Sequence, residues 1–363
     1  MKKICLLILA AVLLGGCWDE RPLEEMALIT VITLDYDEET DSLILAASYP
    51  EFSTQAADDQ EVIIANKARS TAEALYLLNG LTDKVIVEGE VQVMFVGEEM
   101  ARKGLYPVLD TLQRNVEVSS NLYICVIEGK ANELLTTAFE DKPLDGFYMA
   151  RLIKKQEQIN ELPATSLNDF HSDYLSRHTD PILPFIKLKE KEIEASRTAV
   201  FVDDSYTTHV GTDETQLLVM LRNDGTSSQF TMNIDNDKKE FATIAFVTSH
   251  TDVDVHYEEG ELGFDVMLDM KAKLIEYEGE EEIHSPEAFE ELSSQFQNHL
   301  QQIAEDVVLS MQQEYGADPI GLGEYARPHF KKEISMEEWR SIFQDSQINL
   351  TVDLTITQDG DFR

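Results

Sequence analysis

Cysteine, basic side chains and long apolar runs are all scarce in this 363-residue chain. Cysteine occurs three times, too few for a disulfide framework. Lysine and arginine number 29 against 69 aspartates and glutamates, a formal net charge of −40. A surface of that sign repels phosphodiesters and anionic lipid head groups, which argues against nucleic-acid binding or electrostatic adsorption to a membrane. The apolar run Ile4 to Leu14 is about 11 residues, short of the roughly 20 that span a bilayer. Reactive motifs are missing as well. There is no G-x-S-x-G elbow, Walker A loop, G-x-G-x-x-G after a strand, H-E-x-x-H or calcium-loop pattern. The expectation is a protein that is not an enzyme and needs no cofactor or metal.

What is present begins at the amino terminus. Lys2 and Lys3 precede the apolar run, and Gly15-Gly16 lead directly into Cys17. This is the layout of a secretory signal peptide. A cysteine directly after the small pair marks a lipoprotein, with residues 1–16 removed and Cys17 acylated at the mature terminus. Loss of the two lysines takes the net charge from −40 to −42. Cys5 leaves with the signal peptide and Cys17 is consumed by lipid. The remaining Cys125, inside the apolar run Leu122 to Ile127, reads as part of a buried strand. The excess acidity reads as adaptation to a saline or alkaline exterior, since added salt screens self-repulsion.

The patterning predicts an α+β, multidomain protein of mixed sheets with packed helices. Residues 17–190 are expected to form a mixed α/β domain. Its strands are predicted over Ala27 to Tyr36, Ser42 to Tyr49, Lys84 to Val87, Val91 to Val96 and Leu122 to Ile127. Its helices are predicted over Asn66 to Asn79, Glu98 to Arg102, Leu105 to Arg114 and Ala131 to Phe139, with a polar loop over 52–61. Residues 191–240 are expected to form a small middle module ending in a polar loop, Asn223 to Asp237, too small to hold a core alone. Residues 241–363 are expected to form an α+β domain, a long helix across an antiparallel sheet. Phe264 to Leu274 alternate apolar and polar residues, as do Ile348 to Ile356. The helix carries Phe289, Leu292, Phe296, Leu300, Ile303, Val307 and Met311 at spacings of three and four. From Pro286 to Tyr315 it would run about 45 Å. A second helix opens at Ser335 with Glu338 three residues on, burying Trp339, Ile342 and Phe343.

Few side chains suggest chemistry. His250, Asp252, Asp254 and His256 share one face of a strand, but the outer pair lies about 20 Å apart along it, so all four cannot reach one ion. They read as a solvated face opposite Val253, Val255 and Tyr257. His171 and His178, near Asp169, Asp173 and Asp180, read as solvent-facing polar residues at a proline-broken helix end. Gly321-Leu322-Gly323 reads as a tight turn. Glu280-Glu281-Glu282 says little in so acidic a chain.

Cys17-Trp18-Asp19-Glu20-Arg21-Pro22-Leu23-Glu24 resembles the C-W-D-x-R-x-L-[ED] start of the Ger(x)C lipoproteins, the C subunits of spore germinant receptors. Trp18, Asp19, Arg21, Leu23 and Glu24 carry that likeness. The run Gln313 to Gly323, with Gln313, Ala317, Asp318, Gly321 and Gly323, is similar to the family's Q-x-E-x-x-A-D-x-x-G-[FL]-G. Departures are Pro22 and a shortened segment between Trp339 and Ile348. The resemblance implies three mixed α/β domains and a lipid-anchored receptor component on the outer face of the spore inner membrane. It also implies assembly with two integral membrane subunits. The rival reading is a solute-binding lipoprotein of an uptake system, which would call for two doubly wound lobes.

Overall fold

The computed structural model describes residues 22–51, 60–137, 146–163, 166–189, 192–222, 225–226, 229–235, 240–258, 261–279 and 286–357. Strands β1 (Met26–Leu28), β2 (Val31–Asp37), β3 (Ser42–Glu51) and β4 (Gln60–Ala68) open the fold. The run expected as one strand over Ala27 to Tyr36 is therefore two. β1 leaves the main sheet to pair in parallel with β5 (Val85–Val87), and the Thr30 N–H ties the break to the Ser48 carbonyl. β2 and β3 form the expected hairpin. Helix α1 (Thr71–Leu78) starts later than expected, because Asn66 to Ala68 pair with β3 as part of β4 and the Ser70 hydroxyl accepts the Glu73 N–H as an N-cap.

β6 (Val93–Gly97), α2 (Glu98–Lys103), α3 (Tyr106–Gln113) and β7 (Tyr123–Ile127) fall where the patterning puts them. α4 (Asn132–Thr136) covers part of the expected helix over Ala131 to Phe139, whose last residues lie outside the described ones. An unanticipated helix follows, α5 (Gly146–Gln158), and then α6 (Leu167–Ser176), whose end is the one read ahead of the prolines. β8 (Ile182–Lys189), β9 (Glu192–Val202) and β10 (Ser205–Val210) complete an eight-stranded sheet in the order β10-β9-β8-β7-β6-β2-β3-β4. Its four central strands are parallel and both flanks are antiparallel. Alternate residues feed two cores. Ile32, Leu34, Met94, Val96, Ile124 and Val126 pack with α1, α3 and α6, while Val31, Val93, Phe95, Cys125 and Ile127 pack with α4 and α5. Burial raises the pKa of the Cys125 thiol, which suits a packing role.

The second sheet begins after α7 (Thr212–Arg222). It comprises β11 (Gly225–Thr226), β12 (Gln229–Asp235), β13 (Glu240–Glu258), β14 (Glu261–Glu278) and, at the chain's end, β15 (Gln347–Thr357). The segment expected as a polar loop over 223–237 thus contains two short strands. Between β14 and β15 run α8 (Pro286–Leu309), a π-helical turn (Ser310–Tyr315), α9 (Leu322–Ala326) and α10 (Met336–Asp345). Because helices intervene, β15 returns parallel to β14, whereas the other pairs are antiparallel. The long helix ends at Gly316, whose φ of +64° closes it without a Cβ penalty. Leu292, Phe296 and Leu300 of α8 meet Phe264, Val266 and Leu268 in a third core, with Trp339 and Phe343 of α10.

The segment read as a middle module is shared out. β9 and β10 extend the first sheet, Leu217, Leu218, Met220 and Leu221 of α7 enter the third core, and β12 pairs with β13. Among the described residues no helix is long and apolar enough to cross a membrane.

Candidate functional site: a buried carboxylate clasp

The run after the π-helical turn packs into the seam between the two sheets, and Asp318 sits at its centre with no exposed surface. One carboxylate oxygen accepts the N–H groups of Gly321 (2.9 Å) and Leu322 (3.1 Å). The other accepts those of Gly323 (2.8 Å) and the Trp339 indole (3.2 Å). These contacts fold the loop around a single side chain and satisfy amides that α9 would otherwise leave open. Burial pushes the Asp318 pKa up to about 6; the backbone N–H groups pull the other way, and the neighbouring Asp180 charge adds to the rise.

The glycines follow from this geometry. Gly321 has φ +86°, a left-handed conformation. At Gly323 a Cβ would lie 2.3 Å from the His178 carbonyl oxygen and 2.8 Å from the Trp339 ring. Gly321-Leu322-Gly323, read as a tight turn, is the N-terminus of α9 with Gly321 at the N-cap, and it is also the cradle of a carboxylate.

Asp180 continues the cluster from the first body. It exchanges two bonds with Asp318: its N–H donates to the Asp318 carbonyl, and its carboxylate accepts the Asp318 N–H, both at 2.9 Å. Its other oxygen accepts the Asp203 N–H (2.9 Å) and the Arg340 guanidinium (2.6 Å). Arg340 also forks onto both oxygens of Asp203 at 2.9 Å. Burial raises the Asp180 pKa, against the pull of Arg340. A second bridge lies nearby, where Arg222 pairs with Asp173 at 2.5 Å and donates to the Pro319 carbonyl at 2.9 Å. The cluster binds α6 and the β8 and β9 ends to the α9–α10 region. Its carboxylate oxygens are taken up by donors, so its chemistry is attachment. A cleft of about 380 Å³ opens beside it, lined by Tyr106, Tyr174, Asp180, Asp203 and Met336.

This corrects the expectation for the region around His178. His171, His178 and Asp180 are buried, and Asp173 is paired. They lie inside a seam because the end of α6, expected to face solvent, packs there. The His178 Nδ1 lies 2.6 Å from the Ser176 carbonyl. In the C-terminal motif, Ala317 and Asp318 are buried but Gln313 is exposed. Counting back from Ala317-Asp318 puts the motif's glutamine at Gln312. That residue is buried, and its side-chain amide donates to the Phe343 and Ser346 carbonyls, each at 2.7 Å. Of the N-terminal motif, Leu23 and Glu24 are exposed in a 3₁₀ turn, while Cys17, Trp18, Asp19 and Arg21 lie outside the described residues, as does Glu280-Glu281-Glu282. His250 and His256 do not converge. His250 lies 3.4 Å from Asp252, and His256 reaches across to Asp265 at 2.7 Å. Val253 and Val255 pack inward, but Tyr257 is exposed. Among the described residues no group of three or more His, Cys, Asp or Glu could hold a metal ion.

Two family models match the chain in succession. Residues 19–188 match the spore germination protein N-terminal domain, and residues 196–360 match the spore germination B3/GerAC-like C-terminal domain. The chain belongs to the Ger(x)C family of spore germination proteins. Relatives include the spore germination protein GerQC of Bacillus cereus, 20% identical with 99% of each chain covered. The putative spore germination protein YfkR of Bacillus subtilis (strain 168) is 22% identical, covering 99% of this chain and 96% of its own. The crystal structure of the GerBC protein superposes with a TM-score of 0.58 at 15% identity, covering 90% of this chain and 96% of that one. The C-terminal match of this Ger(x)C protein contains Asp203, Asp318 and Arg340, and the N-terminal match contains Asp180, so the clasp joins the two family regions.

Proposed function

We propose that this protein is the lipid-anchored C subunit of a spore nutrient germinant receptor. It would sit on the outer face of the spore inner membrane and assemble with two integral membrane subunits. The observation that carries this reading is the end-to-end correspondence: both family regions, in order, over residues 19–188 and 196–360. Acylation at Cys17 would confine the acidic body to the membrane plane and raise its effective concentration for its partners. Its part is non-enzymatic. Nutrient binding elsewhere in the complex shifts a conformational equilibrium, and the clasped body moves as one piece. The five-stranded, mostly antiparallel second sheet, in place of a second doubly wound lobe, favours this reading over a solute-binding lipoprotein.

The test is deletion of the gene in a strain lacking redundant receptors, followed by germination on amino acids, sugars and salts. Loss of response to one nutrient class is expected, and an unchanged response to all of them rejects the reading. For the anchor, Cys17→Ala should move the protein out of the membrane fraction when its partners are absent.

A further inference from the structure

We propose that the apolar corner formed by Leu23, Leu77, Leu81 and Val85 is the seat of an integral membrane partner, whose surface there is apolar at its centre and basic at its rim. The inference rests on the receptor reading above for the partner's identity, but the surface itself comes from the fold. β1 and β5 run parallel with Met26 opposite Val85, so the residues preceding each strand leave from the same end of the ribbon. Leu23 precedes β1, and Leu81 precedes β5. The Leu81 N–H is bonded to the Leu78 carbonyl, which keeps the last turn of α1 and its Leu77 beside this end. Leu23, Leu77, Leu81 and Val85 are 45%, 39%, 50% and 42% exposed. Apolar side chains grouped in this way mark a surface that another body covers.

The chain's own route says where that body lies. Leu23 is six residues after Cys17. A fully extended chain reaches at most about 3.6 Å per residue, so the corner lies within about 22 Å of the tether point. With lipid on Cys17 in the membrane, this corner is the membrane-side end. The rim then decides the occupant. Glu24, Glu25 and Asp83 are exposed around it. The nearby cation Lys84 is only 11% exposed and bound to Glu51 at 2.7 Å. An acidic rim is repelled by anionic head groups, so the bare bilayer is a poor cover and a basic-rimmed protein surface is a good one.

The test uses spores carrying the full receptor, with the photo-cross-linker p-benzoylphenylalanine placed singly at positions 23, 81 and 267. Met267 on β14 is 45% exposed and serves as the distant control. Cross-links to an integral membrane subunit from 23 and 81 but not 267 are expected. Leu81→Glu should slow nutrient germination at least tenfold with membrane retention unchanged, and Leu81→Met should restore it. Cross-links to lipid alone, to a second copy of this chain, or equally from 267 overturn the proposal. Normal germination in the deletion strain removes the receptor reading instead, and a germination-defective deletion without cross-links removes only the docking surface.

Discussion

The two sheets solve burial in opposite ways. The eight-stranded sheet is covered on both faces, so β6 reads Val93, Met94, Phe95, Val96 with every side chain buried. The five-stranded sheet is covered on one face, so β14 alternates buried Phe264, Val266 and Leu268 with exposed Asp265, Met267 or half-buried Asp269. The first body hides its polar groups singly. Asp35, for example, lies under the start of α4, accepting the Ala131 and Asn132 N–H groups at 2.7 and 2.8 Å. Between the bodies stands a network of carboxylates and arginines. The lesson is that each sheet is held by apolar burial, while the seam between them adds a buried charged network to the apolar contact that Ile182, Val200 and Val210 make with the third core.

That contrast is broken most severely at Asp318. Asp318→Ala leaves the Gly321, Leu322, Gly323 and Trp339 donors unpaired inside the seam. Loss of one partner from a buried charged network costs about 3–5 kcal/mol. Urea unfolding should show that loss, together with a separation into two transitions as the bodies uncouple. A loss below about 1 kcal/mol would mean that apolar contact alone holds the seam.

Titration sharpens the same point. With a pKa near 6 folded and an ordinary value of 3.8, Asp318 keeps its proton on folding across that interval. The stability it contributes is therefore greatest below pH 4, falls as pH rises to 6, and is level above. At about 1.4 kcal/mol per unit, the fall is about 3 kcal/mol. Subtracting the Asp318→Asn variant, which cannot titrate there, removes the effect of carboxylates not coupled to it, leaving the titration of Asp318 together with its neighbour Asp180. The wild-type advantage should shrink by that amount between pH 4 and 6, and a flat difference would place the Asp318 titration elsewhere.

Gly323→Ala tests the packing side of the clasp. Its new methyl would meet the His178 carbonyl and the Trp339 ring, both fixed by other contacts. Overpacking of that kind costs about 2–3 kcal/mol. Asp35→Ala, within the first body, should cost less, about 1–2 kcal/mol, since two donors rather than four lose their acceptor. A single, unsplit transition is expected there.

Much of this was legible before the fold was known, for reasons that vary with the element. β14 and β15 declare themselves because one-sided burial writes a period of two into the sequence, and α8 because its stripe is long. Helix α5 was missed, and of α6 only the end was read. Their apolar faces are short, and the signal that could have found α6, Ser166 with Asp169 three residues on, has Asp where the capping box more often has Glu. β15's parallel direction is set by the helices between it and β14, not by its own residues. For the clasp, Asp318 and the glycines stood out as a motif, but Asp180, Asp203 and Arg340 did not. Charged residues are usually solvated, and only tertiary contact across separations of 137 to 160 positions reveals otherwise. The slip between Gln312 and Gln313 has the same origin, since burial distinguishes two adjacent glutamines and spacing alone must be counted with care.

The smallest expected effect lies on the exposed face of the second sheet. His250 and His256 each pair with a carboxylate, and both side chains are 58% exposed. Exposed pairs of this kind contribute about 0–1 kcal/mol, less with salt. The double variant His250→Ala, His256→Ala should change stability by no more than about 0.5 kcal/mol per site. Added zinc should leave the melting temperature of both proteins unchanged, because the pairs sit on separate stretches of β13 with no third ligand near either among the described residues. A zinc-dependent rise in wild type that the variant lacks would show that this face closes on a metal after all. It would also give the second sheet a polar centre of its own, which is the feature that otherwise separates it from the seam.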